Sequence, residues 1–191
     1  INDALEFFKP YASTLIFIGY GNHETAYLNR NGTDPIQRFC DLFNYENNPE
    51  IPLHSGGYGG FIFLNVDKAP NFCFHYFHGT GGSAPVTFGT IQSSRQIAEV
   101  EGADLLWQGH THTDYEVTKT VQYYCNIVKK VKRKDVLLIR TPTYKNEFVD
   151  GAFGWANENN IANKPLGGRI VELSFSRTGT ITDKHIKSYK I

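Results

Sequence analysis

Three stretches pair an apolar run with a histidine beside a glycine. Leu15-Ile16-Phe17-Ile18-Gly19 leads to Gly21-Asn22-His23-Glu24, Phe72-Cys73-Phe74-His75-Tyr76-Phe77 to His78-Gly79, and Ala103-Asp104-Leu105-Leu106-Trp107-Gln108 to Gly109-His110-Thr111-His112. Apolar runs rich in β-branched and aromatic residues read as buried strands. In open α/β sheets, ligands bind beyond the carboxyl ends of strands, where a turn presents whatever follows. Imidazole nitrogens and an amide oxygen delivered to one sheet edge are metal ligands, and their types suit Mn, Zn, Fe or Ni. His75 lies inside its run, where a histidine is more often a packed or solvated residue than a ligand, so it is left outside the site.

GNHE, a strand-terminal His-Gly and GHTH, in that order, resemble the calcineurin-like metallophosphoesterase superfamily over residues 14–187. The resemblance implies an α/β fold, a two-sheet αββα sandwich, with a two-metal site. On that resemblance Asn22, His78 and His110 bind one divalent ion and His112 the other. His23 is no ligand but a catalytic group, stabilising or protonating the leaving-group oxygen. Two such ions activate a water and hold a phosphate mono- or diester for in-line attack. Family members also carry D-x-H and GD-x-x-D motifs ahead of GNH, and the twenty residues before Gly21 contain neither. The expectation is therefore a single metallophosphoesterase-like domain over 1–191, a carboxyl-terminal portion lacking its first strands. Two alternatives stand beside it: a nuclease acting on DNA or RNA with the same site, and a metal-poor remnant serving as a binding module.

Composition bounds these readings. A chain of 191 residues is long enough for one domain with a sizeable core. Lys+Arg and Asp+Glu both number 19, so the overall balance points to neither nucleic acid nor an anionic membrane. Aromatics make up 14%, which favours pleated surfaces. Cys40, Cys73 and Cys125 form no C-x-x-C pair and read as thiols in a reducing compartment, so a cytoplasmic location is expected. No apolar run is long enough to span a bilayer, and no membrane partner is expected. The absence of methionine is in keeping with a further part upstream.

The elements that would position the histidines follow from periodicity and turn signals. Residues 1–13 read as a helix capped by Asn2 or Asp3, with Ala4, Leu5, Phe7 and Phe8 as its stripe until Pro10. Residues 25–54 are polar. Asp34-Pro35 opens a short helix faced by Ile36, Phe39, Leu42 and Phe43, and a loop runs from Tyr45 to Pro52. Ser55–Gly60 is a flexible turn, not a phosphate loop, because the strand Phe61–Val66 follows instead of Lys-Ser/Thr and a helix. A turn around Pro70 leads to the strand Phe72–Phe77, and Gln92–Glu101 reads as a helix. Strands over Tyr115–Val128, Val136–Thr141, Arg169–Phe175 and Thr180–Tyr189 are assigned to a second sheet. Histidines at i and i+2 of extended backbone point to opposite sides, so GHTH needs a turn if both are to face metals. Lys129–Lys134 packs five cations into six residues and reads as a solvated hairpin tip ahead of a nucleic-acid grip. Residues 151–155 read as a loop, and Tyr144 and Trp155 suit base stacking and core packing equally.

Overall fold

The computed structural model describes residues 1–65, 71–82, 86, 87, 89–146, 158, 163–178 and 181–191. The turn expected around Pro70 and the loop with Trp155 lie outside them. The chain is mixed α/β and divides into two compact units, Ile1–Gly60 and Phe61–Ile191.

In the first unit, helix α1 (Asn2–Phe8) tightens into a 3-10 turn over Lys9–Tyr11 that accommodates Pro10. Neither Asn2 nor Asp3 caps it: Ile1 holds the cap position and no side chain bonds there. Strand β1 is only Phe17–Ile18, and helix α2 (Asn22–Asn31) follows at once. That helix escapes periodicity because it buries no residue. Its ends are marked instead. The Gly21 N–H donates to Glu24 Oε2 at 2.9 Å, and left-handed Gly32 closes the far end. The GNHE tetrapeptide thus spells cap, first, second and third helical positions, and its glutamate works for the helix.

Helix α3 (Pro35–Asn47) starts where expected, with Asp34 Oδ1 accepting the N–H groups of Ile36 and Gln37 at 3.0 and 2.9 Å. It also absorbs Tyr45–Asn47, expected as loop, before left-handed Asn48 ends it. Phe39, Cys40 and Phe43 form a core with Leu5 and Leu53, while Leu42 is only half-buried. Burial pushes the Cys40 thiol up to about 11. Strand β2 (His54–Ser55) pairs parallel with β1. Tyr20 ties this end together, donating to Asp34 Oδ2 at 2.6 Å and accepting from Ser55 at 3.1 Å.

The second unit is built on a five-stranded mixed sheet. Its strands are β3 (Gly59–Leu64), β4 (Phe72–Phe77), β5 (Leu105–Gln108), β6 (Tyr115–Cys125) and β7 (Lys130–Arg140), in spatial order β3-β4-β5-β7-β6. Helix α4 (Thr90–Glu99) links β4 to β5, which pair in parallel, and β7 runs parallel on the far side of β5. Strand β6 returns antiparallel to β7. The 115–128 and 136–141 strands, expected on a second sheet, therefore extend the first one. Of the strands expected on a second sheet, β8 (Arg169–Thr178) and β9 (Ile181–Lys190) do stand apart, as an antiparallel pair. Ile97 of α4 packs on Ala103, Leu106, Val136 and Leu138 to close the core on one face.

The β8–β9 pair is fastened by charge. Lys184 donates to Asp104 Oδ2 at 2.6 Å, and Arg169 reaches Asp114 at 2.7 Å and Glu116 at 2.9 Å. The Phe72 and Phe175 rings pack at 5.0 Å beside the first of these pairs. No helix among the described residues is long and apolar enough to cross a membrane.

Candidate functional site

Strands β4 and β5 end in register, Phe77 opposite Gln108, and the ladder runs one step further: the Gly109 N–H donates to the His78 carbonyl at 3.0 Å. The next residue is Gly79, buried and at φ 110°. A Cβ at this position would stand 2.9 Å from the Gly109 carbonyl oxygen and 3.0 Å from the His110 Cβ. The missing side chain lets two strand ends close on each other. His78 Nε2 and His110 Nδ1 lie 3.2 Å apart as a result, with their rings edge-on at 5.0 Å between centroids.

The turn that GHTH requires is present. After β5 the chain reverses into β6, which lies one place beyond β7, so residues 109–114 pass over the carboxyl end of β7. The Thr111 N–H donates back to the Gly109 carbonyl at 2.9 Å, and His110 between them has φ 68°. That hydrogen bond with a positive φ at its centre is the mark of the strained form of γ-turn. His112 is also left-handed, at φ 56°. Histidine tolerates this region better than most side chains, yet each such residue costs about 1–3 kcal/mol. Surrounding groups must hold the turn.

Arg140, the last residue of β7, supplies them. It is 1% exposed, and its Nη1 donates to the Gly109 carbonyl at 3.2 Å and to Thr111 Oγ1 at 2.8 Å. Thr111 Oγ1 meets Thr113 Oγ1 at 2.8 Å. Burial lowers the pKa of the guanidinium, and the neighbouring Tyr115 opposes that. Ser93 Oγ and the Tyr115 hydroxyl lie 2.6 Å apart, and because the one Ser93 proton goes to Gln108, Tyr115 is the donor to Ser93. Ser93 donates to Gln108 Oε1, and Gln108 Nε2 donates to Gln96. A directional chain of hydrogen bonds thus runs from Tyr115, at the start of β6, through Ser93 to Gln108 and on to Gln96 of α4. No carboxylate pairs with Arg140 among the described residues, and its Nε finds no partner.

Sequence reasoning passed over this network. Its one visible signal is a cation closing the apolar run Val136-Leu137-Leu138-Ile139, on the same strand face as Leu138.

The remaining candidate residues are placed as follows. Asn22 and His23 occupy the first turn of α2, both exposed, in the first unit. His112 is half-buried two residues beyond His110. The structure brings His78 and His110 together. Among the described residues no group of three or more His, Cys, Asp and Glu side chains is placed to hold a metal. His75 lies within β4, its Nδ1 buried without a partner and the Phe61 ring edge-on at 4.9 Å. Tyr144 is 78% exposed.

The His78–His110 spacing fits a shared ion as well as a hydrogen bond. Two nitrogens about 2.0–2.1 Å from one ion stand about 2.9–3.4 Å apart, depending on coordination angle. A separation of 3.2 Å falls inside that interval. The same distance serves one N–H···N hydrogen bond, with one ring donating and the other accepting. No protein-family model matches this chain, and no curated protein does.

Proposed function

We propose that the chain carries part of a metal-dependent phosphoesterase site, which hydrolyses a phosphate mono- or diester. The observation that carries the reading is the His78–His110 pair at the ends of adjacent parallel strands, with both GHTH histidines in left-handed backbone. Strain kept at a strand-end turn argues for a function of that turn. His78 and His110 would share one divalent ion, and His112 would serve a second; Asn22, expected as a further ligand, belongs to the first unit. The chemistry such ions supply is polarisation of a phosphoryl oxygen and activation of water near neutral pH.

The chain's own residues do the rest. Gly79 lets the two imidazoles meet, and Arg140 holds the Gly109–Thr111 turn in place. His23, on the first turn of α2, would donate a proton to the leaving oxygen. The αββα sandwich belongs to the same proposal; the β4–α4–β5 segment ending in paired histidines supports it, and β8–β9 supplies strands outside the main sheet.

The test is hydrolysis of aryl phosphate mono- and diesters after stripping with EDTA and adding back Mn, Zn, Fe or Ni. Activity that vanishes with EDTA and returns with one of these ions is expected. Turnover indifferent to EDTA would overturn the reading.

A further inference from the structure

The β6–β7 ribbon outruns the sheet that it belongs to. Strand β7 pairs with β5 only over Leu137–Arg140, so residues 130–136 are paired with β6 alone. Val136 is still packed on Ile97 and Ala103 and Lys134 still bonds Gly102 and Ala103, so Lys130–Arg133 and their β6 partners, about 13 Å of two-stranded ribbon, project beyond the sheet. From Val117 to Lys134 the chain has six cations and no carboxylate, although its overall balance is zero. Lys119 is engaged by the Ser94 carbonyl, and Lys134 by Gly102, Ala103 and Asp104. The other four, Lys129, Lys130, Lys132 and Arg133, are exposed and make no ion pair among the described residues.

These cations are interleaved with aromatics on both faces. Lys130 and Lys132 share one face, with Tyr123 directly across from Lys132. Arg133 lies on the other, beside Tyr124 and Val131. Both tyrosines are exposed, and at the tip Ile127 is 91% exposed.

We propose that this ribbon is an arm that enters a groove of duplex DNA. The major groove, about 12 Å wide, admits a two-stranded ribbon. An arm lying there has a phosphate wall on either side, which matches cations on both faces. The apolar tip would meet base edges, where thymine offers a methyl group. A planar anionic membrane is a poorer match. It would recruit cations at one depth below the tip, whereas these step back along the ribbon by about 3.3 Å per residue. Ten residue steps of β6, about 33 Å, separate this tip from Tyr115 beside the histidine turn. The arm is therefore a docking element distinct from the candidate metal site, and it stands or falls separately.

The experiment measures anisotropy of a labelled duplex of about 20 base pairs at salt from about 50 to about 200 mM. EDTA is present throughout, so that metal chemistry plays no part. Wild type is compared with Lys130→Ala/Lys132→Ala/Arg133→Ala and with Ile127→Ser, alongside a labelled single strand and phosphatidylserine vesicles. All four substitutions are on exposed side chains, and circular dichroism checks that the fold is retained. Duplex binding is expected to weaken at least about tenfold in the triple variant, and the salt slope to fall by about 0.9 for each phosphate no longer neutralised. Equal duplex affinity in the triple variant and wild type would overturn the proposal. So would tighter binding to the single strand than to the duplex, or vesicle capture that needs Ile127 without duplex binding.

Discussion

His110 and His23 test different chemical roles, and a pair of alanine substitutions separates them. His110 faces His78 across 3.2 Å, so His110→Ala removes one of two converging nitrogens and should cost metal content together with turnover. His23 lies on the first helical turn of α2 and is exposed. His23→Ala should keep its metal and lose about 10²–10⁴ in turnover, the usual worth of a positioned acid. The loss should shrink for aryl phosphates, whose leaving groups need little protonation. Metal analysis and kinetics on both variants check this; a His23→Ala protein that loses its ions would show that the role is misassigned. The strand-end place of His110 was legible in the sequence, because it follows an apolar run beside a glycine. Asp104 was not. It ends up held by the Cys73 N–H, Lys134 and Lys184, and the two lysines lie 30 and 80 residues further along the chain, where no local pattern announces them.

At the level of elements, strands and helices with an apolar stripe were readable, and what holds the histidine turn was not. Strand β4 falls on the expected residues because aromatic density and flanking turn signals mark it, and α3 starts at Asp34-Pro35 because its cap is local chemistry. Helix α2 was missed because it buries no residue and so has no apolar stripe to detect. The placement of β6 and β7 on the main sheet was missed because strand patterns do not say which sheet a strand joins. The γ-turn at His110 depends on a residue 30 positions later, since Arg140 reaches back to Gly109 and Thr111. Replacing Arg140 by Met removes both hydrogen bonds while filling much of the same volume. Metal affinity is expected to fall by about 10–100-fold, as for other groups that orient ligands from behind. Titration calorimetry with Mn on the folded variant measures it. Wild-type affinity in Arg140→Met would mean that the turn holds itself.

For the whole molecule, His75 sets a pH dependence of stability that owes nothing to metal. Burial holds its imidazole below the usual 6.5, with Nδ1 unpartnered inside the second unit. The folded chain resists the imidazolium, so the unfolded chain binds more protons between the depressed value and 6.5. Stability is therefore full above that window and declines as pH falls through it. Thermal unfolding from about pH 7.5 down to about pH 5.5 should show a smaller decline in His75→Phe than in wild type. Identical declines would remove His75 as the cause. The central claim, that His78 and His110 hold a divalent ion, is tested most directly by anomalous diffraction from crystals grown with saturating Mn. The account predicts a peak within bonding distance of both His78 Nε2 and His110 Nδ1, with the two nitrogens still about 3 Å apart. The same ring geometry with no peak between the nitrogens would contradict it, leaving the pair as a hydrogen bond.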